Sequence, residues 1–144
     1  MKDTLVLNIT FSFFILLNIY FFNNKIIINI FDKILGTIAI VCSIMILYSI
    51  NQSYKKFLDL GHYLYCGFYL PLIAIFSTNK TMLGLNIIMI TSVIYSRYYY
   101  KCCVLSKKQN NIGYFTELSH SFKINWNYLF PLLLIFSIYN YLCL

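Results

Sequence analysis

The sequence predicts an all-α, polytopic membrane protein with about five transmembrane helices, and three observations carry that expectation. Of the 144 residues, 60% are hydrophobic and only 10% are charged. A soluble domain carries about 25% charged residues, so too few are present here to cover a water-facing surface, and lipid must solvate much of the chain. Second, residues 4–24, 34–54, 60–79 and 124–144 contain no Asp, Glu, Lys or Arg. Each run is about 20 residues, the length a helix needs to cross the hydrocarbon. Third, residues 81–108 pass from an uncharged apolar stretch into four tyrosines around Arg97, then Lys101, Cys102, Cys103, Lys107 and Lys108. Oil, then aromatic rings at headgroup depth, then cations is the order of a span leaving lipid.

The runs are continuous and show no period-2 alternation, which favours helices over strands. The expected spans are 4–22, 34–52, 60–77, 82–100 and 126–144, in a single membrane domain covering 1–144. The first reads as an uncleaved anchor, because Tyr20, Phe21, Phe22 and Asn23 stand where a signal peptide would carry small residues. Asn8 and Asn18 within it are expected to face neighbouring helices. Residues 23–33 are too rich in Ile and Phe for a free loop and are expected to lie in the interface as a short helix. In the second span Ala39 and Ser43 stand one turn apart, a small-residue face for close helix packing. Gly67 in the third span and Ser92 and Ser96 in the fourth are read the same way. Pro71 should kink the third span. The short stretch 77–81 makes spans three and four a tight antiparallel hairpin. Trp126 and Tyr128 suit the interface at the start of the fifth.

The formal charge of +7 reads as topology signal, not as a nucleic-acid footprint, since no folded basic domain is present. Lys2, Lys55, Lys56, Arg97, Lys101, Lys107, Lys108 and Lys123 fall on the N-terminal side, against Lys25, Lys33 and Lys80 opposite. That bias places the N-terminus inside. Arg97, Lys101, Lys107 and Lys108 form a basic edge suited to anionic lipid, at about 1 kcal/mol per cation near the surface.

Chemistry is thinly represented. The interior of every expected span lacks Asp, Glu, Lys and Arg, which disfavours ion transport by this chain alone. The five cysteines include no C-x-x-C pair, so neither a disulfide framework nor a dithiol redox motif is expected. Asp59, His62 and Cys66 share one face of the third span. A zinc site needs at least three protein ligands, and the other histidine, His120, is remote, so no metal or haem is assigned. Cys102 and Cys103, at an inside membrane edge among cations, are candidates for palmitoylation.

Pro71, Phe76, Asn79 and Asn86, the aromatic-basic exit and the Cys103-x-Leu105 step resemble a pattern in small multi-span membrane proteins encoded by large AT-rich DNA viruses. The resemblance covers roughly residues 60–108 and implies a virion or host-derived membrane component that is not an enzyme. The heavy use of Ile, Asn, Lys, Phe and Tyr also points to an AT-rich source.

The functional expectation is a non-enzymatic, cofactor-free structural or interaction component of a membrane assembly, in a viral inner membrane, host ER or mitochondrial inner membrane. Its partners would be the bilayer and other membrane proteins or further copies of itself. Two alternatives stand beside it: an oxidoreductase using Cys102/Cys103 or a His62/Cys66 metal, and a small oligomeric channel lined by Asn and Ser.

Overall fold

The structure, a computed structural model, describes residues 2–27, 29–52, 54–100, 105 and 125–144, with the backbone alone for Lys2, Asp3, Lys55 and Tyr100. Five helices account for nearly all of this, and no strand occurs among the described residues. α1 is Lys2–Asn23, α2 is Ile30–Gln52, α4 is Lys80–Tyr100 and α5 is Trp126–Cys143. α3 is one continuous rod in three parts: Lys55–Tyr63, a π-helical turn Leu64–Tyr69, and Leu70–Phe76. Thr4–Asn23, Ile30–Gln52, Lys56–Phe76 and Trp126–Cys143 are each long and apolar enough to cross a membrane. The chain is therefore an all-α polytopic membrane protein. α4 has the length, at 21 residues, but Asn86, Ser92, Ser96 and Arg97 dilute it, and it is not one of those four.

Each helix buries one stripe at helical spacing. On α1 the stripe is Leu7, Phe11, Phe14, Asn18 and Phe21, alternating steps of four and three as in a heptad seam. On α2 it begins at Asp32 and continues through Leu35, Gly36, Ala39, Cys42, Ser43 and Ile46. Small residues let backbones approach where lipid offers no hydrophobic drive between helices. A Cβ on Gly36 would stand 3.0 Å from the Phe22 ring, and one on Gly61 3.0 Å from Ile46 Cγ1.

Asparagine starts three of the helices. Asn29 Oδ1 accepts from Phe31 N (3.0 Å), Asn79 Oδ1 from Thr81 N (2.9 Å), and Asn125 Oδ1 from Asn127 N (3.1 Å). Each satisfies a backbone donor that the first turn leaves without a partner. α1 ends in a Schellman pattern: Ile26 N donates to Phe21 O and Lys25 N to Phe22 O, with Lys25 held at φ 54°.

Asn29 also corrects one expectation. Residues 23–33 do not form a separate interfacial helix; the cap lets α2 begin at Ile30. Asp32 therefore enters the first turn of α2, fully buried, two residues ahead of the expected start of the second span. α3 likewise starts at Lys55, ahead of the expected residue 60, and takes in the buried Asp59.

The expected disturbance at Pro71 takes the form of a π turn. Proline at that position cannot donate to the Gly67 carbonyl, and its ring crowds it. The preceding turn widens, and Leu70 N reaches back to Tyr65 O.

α2 packs along α1 on one side and α3 on the other. Phe11 and Phe14 of α1 meet the Tyr65 ring edge-on, with centroids 5.7 and 6.5 Å away. The turn Ser77–Asn79 returns the chain antiparallel, as expected for the hairpin. Yet α4 packs most extensively on α5, which also lies against Leu70–Phe76 of α3. Asn86 ties the three together, its Nδ2 donating to Leu70 O and Ser137 Oγ, both at 3.1 Å. Asn140 Nδ2 donates to Ala74 O at 2.7 Å, a carbonyl in the last turn of α3. At that end of the bundle, Asn79 Nδ2 also donates to Ile26 O (2.8 Å) and Asn29 Nδ2 to Thr78 Oγ1 (3.1 Å). At the opposite end Asn8 Nδ2 donates to Asn51 Oδ1 at 3.1 Å, joining α1 to α2.

Candidate lipid-facing cleft between α4 and α5

Arg97 sits in the last turn of α4, where a cation complements the helix dipole. Opposite it, Asn125 caps α5 and sets Asn127 in the first turn. Arg97 donates from Nε (3.1 Å) and Nη2 (2.9 Å) to the single oxygen Asn127 Oδ1. This pins the guanidinium, whose Cζ lies 6.0 Å from the centre of the Phe130 ring. Trp126 and Phe130 stack at 5.5 Å. Pro131, one turn on, removes the N–H that would bind the Asn127 carbonyl.

Between these groups lies an open cleft of about 330 Å³, lined by Ile94, Arg97, Tyr98, Trp126, Asn127, Phe130 and Pro131. One end carries a guanidinium suited to an anionic oxygen. The walls are aromatic and aliphatic and run down the helices towards their apolar middle, and Trp and Tyr at the rim are headgroup-depth residues.

Of the basic edge read from sequence, Arg97 lies in this cleft, while Lys101, Lys107 and Lys108 fall outside the described residues, as do Cys102 and Cys103. Ala39 and Ser43 are buried on α2, facing into the bundle. Gly67 is half-buried, its absent Cβ position 3.6 Å from the Tyr63 ring and 3.8 Å from Trp126. Ser92 is exposed and bonds back to Ile88 O. It stands off the buried stripe of α4, which runs through Met82, Leu83, Asn86, Met89 and Ile90. Ser96 is half-buried and bonds to Val93 O at 2.9 Å. Asp59 and Cys66 are buried and His62 is half-buried. Among the described residues no three His, Cys, Asp or Glu side chains converge as metal ligands.

Sequence reasoning missed Asn127, Gly61, Asp32, Ser137 and Asn140, and singled out Asn86 only within the resemblance, not as a link between helices. Asn127 had a legible signal, a polar amide one residue past Trp126 at the opening of an apolar run. Asp32 had one too, lying four residues before Gly36 and seven before Ala39 on one helical stripe. No family model, curated protein or solved structure matches the chain.

Proposed function

We propose that the chain is a non-enzymatic integral membrane protein, a structural or interaction component of a membrane assembly, seated by anionic lipid in the Arg97 cleft. One observation carries the reading. α5 buries only Phe130, Leu133 and Ser137 fully and leaves Tyr128, Leu132, Ile135, Phe136, Tyr139 and Leu142 exposed. A helix this apolar and this little covered needs lipid or another membrane protein against it. The cation bias puts the N-terminal end, and with it the cleft, on the inner side, where anionic lipid concentrates. The resemblance to small viral membrane proteins favours a virion or host-derived membrane over the mitochondrial inner membrane.

Mild detergent extraction from the native membrane, followed by native mass spectrometry, tests this. The expected result is a large, reproducible complex that retains anionic lipid. Arg97→Gln should reduce lipid retention about fivefold, the equivalent of one cation at the surface, without dispersing the complex. A lone monomer or small homo-oligomer would overturn the assembly reading.

A further inference from the structure

Asp32 has 0% exposure, and neither carboxylate oxygen has a hydrogen-bond partner among the described residues. The donors nearest in sequence are spent: Phe31 N donates to Asn29 Oδ1 and Lys33 N to Asn29 O. The lysine beside it, Lys33, is exposed, as is Lys25 on the preceding link. Lys80, at the same end of the bundle, lies over the Tyr141 ring. Tyr69 of α3 and Cys42 of α2 are buried in the same bundle and carry no formal positive charge to offer it. The α2 N-terminus supplies about half a positive charge, which leaves the carboxylate under-compensated in a medium where an unpaired charge is very costly.

A second group shares the orphaned character. Asn18, on the facing helix, is 1% exposed. Its Nδ2 is committed to Phe14 O at 2.9 Å, and its Oδ1 has no partner among the described residues. That oxygen points onto α2, 3.5 Å from where a side chain at Gly36 would begin, one turn from Asp32. α1 and α2 therefore carry, one helical turn apart, three buried acceptor oxygens that have no hydrogen-bond partner among the described residues. A proton on the carboxyl would answer at most two of them, its own oxygen and one acceptor, and leave the third. A hard cation takes oxygen ligands from carboxylate and amide alike, and a single carboxylate balances a single positive charge.

We propose that Asp32 is the charged ligand of a buried site for a monovalent alkali cation, with Asn18 Oδ1 as a further oxygen ligand. The site is independent of the assembly reading above. It is tested on the full chain in nanodiscs by thermal unfolding in sodium or potassium chloride against choline chloride at equal ionic strength. The melting temperature should rise saturably with sodium or potassium. Asp32→Asn should abolish the response, and Asn18→Leu should move its midpoint about tenfold higher in cation concentration. No response in wild type would overturn the site. So would stabilisation that follows pH alone and is lost in Asp32→Asn, which would assign the carboxyl a proton. If Asp32→Asn does not fold, equilibrium dialysis of the wild type with radiosodium decides. Retention near one ion per chain supports the site, and none overturns it.

Discussion

Asparagine does in this chain what several residue types share in most membrane proteins. It caps α2, α4 and α5, bridges α1 to α2, and binds the ends of α3 and α4 to their neighbours. Each use answers the same physical demand, since a backbone or side-chain polar group in lipid has no water to turn to. Glycine is spared even where it would fit best. Lys25 takes the left-handed conformation that closes α1, although a Cβ is disfavoured there. Lys25→Gly is therefore expected to raise the unfolding free energy by about 0.5–1 kcal/mol. Denaturation in mixed micelles would show the gain, and an unchanged or lower midpoint would mean that Lys25 contributes a contact worth more than the strain.

At the scale of the element, α3 differs most from a regular rod. A π turn behaves like a one-residue insertion that leaves the helices on either side in register. Tyr65 thus keeps its place against Phe11 and Phe14 while Ile73 and Ala74 stay in the core. Phe68 lies in that turn and is exposed. Removing it together with Pro71→Ala should convert the turn to α-helix, with a stability loss of about 1 kcal/mol or less, because no buried residue changes face. Deleting Leu72 instead rotates Ile73 and Ala74 by about 100° and should cost several kcal/mol or prevent folding. Circular dichroism and unfolding midpoints on the pair decide it. Equal damage from both deletions would mean that the π turn itself is required. Pro71 announced a disturbance here, but the choice between kink and π turn was not legible. It depends on what holds the two halves, and those contacts come from α1, α2, α4 and α5.

The same division between local and distant information holds across the whole molecule. That the chain is all-helical, with several helices apolar enough to cross a membrane, could be read from charge-free runs, because lipid leaves the backbone few options. The order in which the helices pack could not. The short turn correctly made α3 and α4 consecutive and antiparallel, yet α5 takes the longer share of α4. Half of the candidate cleft was likewise legible: Arg97 stood out as a cation at a span exit, whereas Asn127, thirty residues on, becomes its partner only through the α4–α5 contact. What draws α5 in is visible in Asn86, whose one amide nitrogen serves α3 through Leu70 O and α5 through Ser137 Oγ. Hydrogen bonds between membrane helices are worth about 0.6–2 kcal/mol each. Asn86→Leu should therefore cost about 1–3 kcal/mol, and Ser137→Ala about 1 kcal/mol. Because the two side chains share a bond, the double variant should be less damaged than the sum, with a coupling of about 0.6–1.7 kcal/mol. Unfolding the four proteins of that cycle in the same micelles measures the term directly. A coupling near zero would mean that α5 docks without help from the Asn86–Ser137 bond, through Phe130, Leu133, Asn140 and Asn127, and that Asn86 serves only to join α4 to α3.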